Sequence, residues 1–351
     1  MSETTEDGPS FAMLTCANGA EQCVKDAIAP LGWRLAFSRP GFVTCKHDHA
    51  AAPPYDTFIR TSSYSIGQVR GVEGQALLAQ LMTLLEAHSQ EPFDQLHVWP
   101  RDRLPIGKFG FEPGLDEVSK VVADELHAVT HPRFVTAAAP NQIAQPGERV
   151  LDVVLVDPSH WFVGWHQAEA WETRWAGGVQ PLEPDEEPIS RAYYKAAESI
   201  DWSGFEMNPG DTVVEVGSAP GGACGRFLEL GFNVIAVDPA EMDESIAEHP
   251  RLKHFRARAG DLPRKEFTGA KWLFVDSNVK PDKTLTTVHH IVTHTHCTIE
   301  GMLLTMKLGD YKAAAEIPDW VKRAERWKPR DIRIRQLARN RCEVCFAVRL
   351  R

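Results

Sequence analysis

Residues 211–222 read Asp211-Thr212-Val213-Val214-Glu215-Val216-Gly217-Ser218-Ala219-Pro220-Gly221-Gly222, and the reading of this stretch decides the fold of the half that contains it. The β-branched run to Val216 predicts a strand, the glycines end it, and residues 222–230 resume with helical spacing. Glycines in such a turn let the backbone pass close to a ligand, and free N–H groups at the helix start favour a carboxylate or phosphate. The spacing is not the G-x-G-x-x-G of a dinucleotide loop. Downstream the alternation continues. A strand at 233–237 ends at Asp238, and a weaker one follows at 254–257. A strand at 272–275 ends at Asp276, with a helix at 284–297 after it. Another at 302–306 ends at Lys307, and a helix at 311–327 follows. Strands at 332–337 and 343–350, joined by a turn at 338–341, close the chain. Repeated strand–helix units predict an α/β, doubly wound, mostly parallel seven-stranded sheet with its last strand antiparallel.

Residues 179–188 (VQPLEPDEEP) are rich in proline and acid and read as a linker. Before them the pattern is mixed. Strands are expected at 11–16, 41–46, 95–99, 150–156 and 161–165. Helices are expected at 21–30, 75–88 and 117–127, the second from the helical spacing of Leu77, Leu78, Leu81, Leu84 and Leu85. That interleaving implies α+β packing. Length agrees, since 351 residues exceed one small domain.

The chain carries a formal charge of −10, spread unevenly. Residues 322–351 hold eleven Lys or Arg against three acids, a net +8, which leaves −18 on residues 1–321. An acidic body with a basic end is compatible with a nucleic-acid partner. No apolar run approaches 18 residues, so no membrane helix is expected. Residues 1–9 are acidic and polar, unlike a secretory leader. The seven scattered cysteines predict reduced thiols in a cytoplasmic protein.

Two sequence signals carry chemistry. The loop from Glu215 to Gly222, with Asp238 ending the next strand, looks like the nucleotide loop of S-adenosylmethionine-dependent methyltransferases. That resemblance implies cofactor contacts from Glu215, Gly217, Ser218, Ala219, Pro220, Gly221 and Gly222. Asp238 would take the ribose hydroxyls, Asp261 would lie near the adenine, and Asp276 would border the site. The second signal, Ser190-Arg191-Ala192-Tyr193-Tyr194-Lys195, closely resembles the first motif of FtsJ-type ribose 2′-O-methyltransferases, whose cofactor loop is also similar.

That family carries a lysine–aspartate–lysine–glutamate tetrad. Lys195 matches its first lysine, Asp276 its aspartate at the end of F-V-D, Lys307 its second lysine in L-T-M-K-L, and Glu343 its glutamate in R-C-E-V-C-F. Topology supports the grouping independently. Asp276 and Lys307 end parallel strands, and Glu343 begins an antiparallel one, so all three fall on one sheet edge. A ribose hydroxyl needs a base, and a lysine serves if its pKa falls toward neutrality. Lys307 is assigned that role, with Lys195 as the neighbouring charge, Asp276 orienting the amine and Glu343 fixing the lysines or the ribose. The two carboxylates pull the other way, so the net shift stays open.

Over the whole chain the resemblance is to the ribosomal RNA large-subunit methyltransferase M family. It implies a Rossmann-like S-adenosylmethionine-dependent methyltransferase domain at 179–351, preceded by a ferredoxin-like α+β domain at 1–74 and a THUMP-like RNA-binding domain at 75–178. It also implies 2′-O-methylation of a cytidine in 23S rRNA. The front-half match rests on L-T-C-A-N-G-A-E, V-L-D-V-V-L-V and W-F-V-G-W. The chain departs from the pattern at Gly221-Gly222-Ala223-Cys224, where related proteins often place Trp after the glycines. Two other classes stay open: a non-catalytic RNA-binding or assembly factor, and a small-molecule methyltransferase.

Other features carry less. His289, His290, His294, His296 and Cys297 crowd the helix expected at 284–297, with His290 and His294 four apart, but no H-E-x-x-H accompanies them and no metal is expected. Cys342 and Cys345 fall on opposite faces of a strand. Lys108-Phe109-Gly110-Phe111 reads as a loop, and the tryptophans at 161, 165, 171 and 175 as core or interface.

Overall fold

The computed structural model describes residues 8–72, 74–88, 91–184 and 186–351. It divides into two compact units, Met1–Pro181 and Leu182–Arg351. The expected acidic lead at 1–9 lies outside the described residues up to position 7.

The first unit contains β1 (Ser10–Thr15), α1 (Glu21–Ile28), β2 (Arg34–Arg39), β3 (Phe42–His47), β4 (Thr61–Arg70), α2 (Gly74–His88), β5 (Gln95–Pro100), α3 (Glu117–Thr130), β6 (Arg149–Asp157) and β7 (His160–Gln167). Its seven strands make a single mixed sheet in the order β2-β3-β1-β4-β7-β6-β5. Only β5 and β6 run parallel among these pairs. The break placed between residues 74 and 75 therefore does not separate two sheets. β4, before it, pairs with β7, after it, from Tyr64 opposite Trp165 to Arg70 opposite His160.

Leu77, Leu81 and Leu85, one stripe of α2, are buried with Leu126 of α3 and with Val69, Val98, Leu151 and Val153 of the sheet. The 3.6-residue period of the helices meets the two-residue period of the strands in that core. Trp161 belongs to it, and Trp165 stacks on Tyr64 with ring centroids 4.8 Å apart.

Two buried ionic groups tie this unit together. Arg60 donates to Asp102 through both terminal nitrogens, at 2.9 and 2.7 Å. His166 donates Nδ1–H to Asp152 Oδ2 at 2.6 Å and Nε2–H to the Thr173 carbonyl at 2.7 Å. Both partners are oxygen acceptors, so the arrangement favours the protonated imidazole. Burial, which favours the neutral ring, is outweighed by the Asp152 charge, and the His166 pKa is raised.

The second unit contains α4 (Ala192–Ser203), β8 (Thr212–Val216), α5 (Gly222–Glu229), β9 (Asn233–Val237), α6 (Glu244–Ala247), β10 (Leu252–Phe255), β11 (Trp272–Val275), α7 (Pro281–Val292), β12 (Gly301–Lys307), α8 (Ile317–Glu325), β13 (Asp331–Arg335) and β14 (Glu343–Arg349). The strand order is β10-β9-β8-β11-β12-β14-β13. Four ladders are parallel and two, both involving β14, are antiparallel. The sheet is thus mixed, because the terminal hairpin brings β14 back antiparallel against β12. Central strands such as β11 are buried at every residue, as strands covered on both faces require.

Several boundaries move. The third strand lies at 252–255. Pro281 sits in the first turn of α7, which ends at Val292. His294, His296 and Cys297 therefore lie beyond the helix, and the i, i+4 pair it was to provide does not form on it. Among the described residues no group of three or more His, Cys, Asp or Glu is arranged to hold a metal. The helix expected at 311–327 is a 3₁₀ turn followed by the shorter α8. Residues 108–110 form a 3₁₀ turn that leaves Phe109 exposed. Among the described residues no helix is long and apolar enough to cross a membrane.

Replacing His166 with Leu should cost about 3–5 kcal/mol, because it strands the buried Asp152 carboxylate. The wild-type contribution should be fully present below pH 6.5 and decline as pH rises through the raised folded-state pKa. Urea denaturation at pH 6 and pH 9 checks this: the gap between the two proteins must narrow at the higher pH.

Candidate active site

The strand ends of the second unit carry the polar residues that the sequence singles out. Asp276 follows β11 directly, and its N–H donates to the Val216 carbonyl at 3.1 Å, fixing it beside the end of β8. Lys307 is the last residue of β12 and stands opposite Glu343, the first of β14, in the antiparallel register. Lys195 comes from α4, whose Tyr193, Ala196 and Ile200 pack inward.

These four side chains meet. Lys195 Nζ donates to Asp276 Oδ2 at 2.8 Å and forms an ion pair with Glu343 Oε1 at 2.6 Å, outside hydrogen-bond alignment. Lys307 Nζ donates to Asp276 Oδ1 at 2.7 Å and to Glu343 Oε2 at 2.5 Å. The result is a ring of alternating charge in which each ammonium bridges the two carboxylates. Lys195 is buried, not the surface lysine its sequence setting alone would give. Lys307 is the most accessible member, 23% exposed against 4% for Glu343. It also lines an open groove of about 590 Å³ that includes Asn278, Lys280, Asp282, Glu316 and Trp320.

The direction of the lysine shift, open from sequence, is settled by these distances. Burial lowers the Lys307 pKa, but the charges of Asp276 and Glu343 and their hydrogen bonds outweigh it, and the pKa is raised above the usual lysine value. The same balance works on Asp276. Burial favours its neutral form, yet the two ammonium groups hold its pKa below the usual carboxylate range. Both groups, Lys307 and Asp276, rest charged.

The glycine loop passes under this ring. At Gly217, where φ is +87°, a Cβ would stand 2.7 Å from Ser277 Cα and 2.8 Å from the Asp276 carbonyl oxygen, so only glycine fits. At Gly222 a Cβ would sit 3.0 Å from the Ser190 carbonyl oxygen and closer still to its hydroxyl. The two sequence motifs are therefore packed on one another. Ser218 is buried, and among the described residues its hydroxyl has no partner. Asp238 accepts from the Ala240 N–H at 2.8 Å through one carboxylate oxygen. Asp261 sits exposed in a 3₁₀ turn after β10 and is not drawn into the ring.

Glu215 is 1% exposed, and its Oε2 accepts the Cys224 thiol at 2.8 Å. Burial, with further repulsion from Asp276 and Asp238, pushes its pKa up to about 8. Sequence reading missed Glu198. It is buried on α4 one turn after Lys195, and its two oxygens accept the N–H groups of Ala338 and Arg339 at 2.7 and 2.8 Å. It thereby ties α4 to the turn that leads into Glu343. An acid inside an apolar helix face is the only signal that could have marked it.

No family model matches the chain. Among curated proteins it is similar to the ribosomal RNA large subunit methyltransferase M of Idiomarina loihiensis, 27% identical over 212 residues, covering 57% of this chain and 56% of that protein. The protein of the same name from Laribacter hongkongensis is 34% identical over 92 residues, 24% of this chain and 26% of that protein. That from Pseudomonas putida is 26% identical over 220 residues, 59% and 60%. The chain thus spans from about a quarter to three-fifths of these relatives' lengths. Among solved structures, TrmN from Thermus thermophilus aligns with 97% of this chain and all of its own at a TM-score of 0.37 and 14% identity. A TehB-like SAM-dependent methyltransferase from Corynebacterium glutamicum aligns with 44% of this chain and 87% of its own at 0.33 and 13%. Likenesses this distant carry no functional weight.

Glu215 makes the second unit pH-sensitive in a defined direction. Between pH 4.5 and about 8 the folded chain keeps a proton that the unfolded chain releases, so stability falls as pH rises through that window. The full cost above it is on the order of 5 kcal/mol. Glu215→Gln should lose less melting temperature than the wild type between pH 5 and pH 8. Parallel melting curves would exclude a raised Glu215 pKa.

Proposed function

We propose that the chain is an S-adenosylmethionine-dependent RNA ribose 2′-O-methyltransferase of the FtsJ type, acting on a cytidine of 23S rRNA in the cytoplasm. The observation that carries this reading is the meeting of Lys195, Asp276, Lys307 and Glu343 in one charged ring beside the glycine loop. The names of the relatives support the RNA class of substrate. The first unit is read as ferredoxin-like and THUMP-like halves that share one sheet.

The residues around the loop fit the cofactor. The Ser218 hydroxyl is a buried polar group in want of a partner. The backbone at Gly217 and Gly221 has positive φ that brings it close to whatever lies above it. Asp238 keeps one carboxylate oxygen for a ribose diol. Bound there, S-adenosylmethionine supplies a methyl group already activated on a sulfonium. Lys307, the ring member that lines the groove, is the group to take the hydroxyl proton of a ribose entering from that side. Asp276 and Glu343 aim its amine, and Lys195 balances their charge. Much of the acceleration then comes from alignment.

One feature favours the non-catalytic reading, an RNA-binding factor on the same fold: the ring satisfies its own charges and needs no ligand to be stable. Single-turnover transfer from labelled donor to ribosomal RNA separates the two. Lys307→Ala should lose transfer by roughly 10²–10⁴-fold while still binding the donor. Retained activity removes Lys307 as the base, and no transfer by the wild type removes the enzyme reading.

Because Lys307 rests protonated, the single-turnover rate should rise with pH, close to tenfold per unit from pH 7 toward 9.5. A flat profile would show that its deprotonation does not limit the chemistry. Mapping ribose methylation on rRNA from cells with and without the gene fixes the nucleotide.

A further inference from the structure

The first unit has a sheet face with an open cavity that no helix lines. Alternation along the strands sets its contents. Val69 faces α2 and its leucines, so Gln68 and Arg70 face the other way. The register places Gln68 opposite Phe162, and Arg70 opposite His160. On the same face β1 contributes Phe11, opposite Lys46 of β3, and β2 contributes Phe37 and Arg39. Irregularities between Leu35 and Phe37 in β2, and between Ser65 and Gly67 in β4, re-aim the side chains around the cavity.

The cavity measures about 450 Å³, and every residue that lines it belongs to a strand. Its aromatic wall is graded in accessibility. Phe11 is 49% exposed, although it sits in a central strand. Phe37 is half-buried and stacks on Phe162, centroids 5.4 Å apart, with Phe42 behind it at 4.8 Å from Phe162. The Arg39 guanidinium lies over the outer side of Phe37, 5.1 Å from its centroid. Arg70 donates to His160 Nε2 and to Gln68 Oε1, both at 3.1 Å, so its head is held over the cavity mouth. Burial and the two arginines lower the His160 pKa, and its Nε2 also lies 2.7 Å from Gln68 Oε1.

Charge decides the occupant. Arg34 at the far corner is paired with Asp48. Among the described residues no carboxylate pairs with Arg39, Lys46 or Arg70, and none lines the cavity. On a chain of net charge −10 this is a local concentration of unpaired cations around flat rings. An apolar protein segment would leave the cations unmatched, and an acidic peptide has no use for an exposed ring. A single-stranded polynucleotide has both a phosphate for each cation and a π-face for each ring.

We propose that this face binds an unpaired segment of RNA, one base lying on the exposed ring of Phe11 and the flanking phosphates on Arg39, Lys46 and Arg70. The inference rests on the preceding reading only in taking RNA as the substrate class; it does not require methyl transfer.

The test uses the full chain and a fluorescent unstructured ten-nucleotide pyrimidine RNA, followed by anisotropy from 50 to 200 mM salt. Phe11→Ala should weaken binding about tenfold with the salt dependence unchanged, the mark of lost stacking. Arg39→Gln with Arg70→Gln should lower the slope of log K against log salt by about 1.4, the mark of two lost phosphate contacts. Phe11 and both arginines are accessible enough to be replaced without emptying a core. Calorimetric binding of S-adenosylmethionine should be the same in all three proteins. Loss of RNA affinity in the variants with no methyl transfer by the wild type would sink the enzymatic reading and uphold this one. No RNA binding by the wild type at 50 mM salt, or equal binding and equal salt slopes in every variant, would overturn it, the latter leaving the face to a protein partner.

Discussion

Two ammonium groups and two carboxylates share one nearly buried space, and the second unit is arranged around keeping that space neutral. Desolvating a single charge costs several kcal/mol, whereas a ring in which each charge touches two opposite ones recovers most of that loss. The condition is geometric. Lys307 and Glu343 must be opposite in the β12–β14 ladder, Asp276 must end β11 at the same height, and α4 must present Lys195 from outside the sheet. A one-residue slip of β14 would turn Glu343 to the other face and leave an unpaired lysine. The mixed character of the sheet follows from this need, since only an antiparallel β14 brings its first residue to the end where the parallel strands finish.

Backbone contacts hold the ring's components at that height. The loop from Gly217 to Gly222 lies so close to Ser277 and Ser190 that side chains are excluded at both ends of it. Glu198 caps the turn before Glu343 from the same helix that carries Lys195, so two of the four charges are positioned through one rigid element. A carboxylate that accepts two backbone N–H groups is satisfied and can be buried. Among the described residues the hydrogen bond to Glu215 comes from a thiol, and the side chain stands near two other acids, which is why its burial is costly.

What the sequence disclosed follows from the same physics. Acidic and basic residues placed at the ends of apolar runs are legible because strand ends are where a parallel sheet meets solvent, and Asp276, Lys307 and Glu343 were found that way. Lys195 was found through its motif, but its burial was not, because burial depends on which helix covers the sheet. β2 and β4 went unseen. β2 is a bulged edge strand with exposed Arg34 and Arg39, and β4 is rich in serine. In β4, Ser63 is buried because it donates to Asp152, a contact 89 residues away in sequence that no local pattern encodes. β4 is also the strand that joins β1, β2 and β3 to β5, β6 and β7 in one sheet.

The protonation of Lys307 shows where sequence reasoning has to stop and coordinates take over. Desolvation and a neighbouring cation argue for a depressed pKa; two carboxylates within 2.7 Å argue for a raised one, and at these distances the carboxylates prevail. Removing the proton from Lys307 would leave one ammonium facing two carboxylates, a net negative charge in a space with little water to support it. A positive charge brought beside Asp276 or Glu343 would restore the balance and make the neutral amine cheaper. A ring built this way holds Lys307 protonated until another positive charge arrives, and its resting pKa is raised for the same reason that the ring is stable.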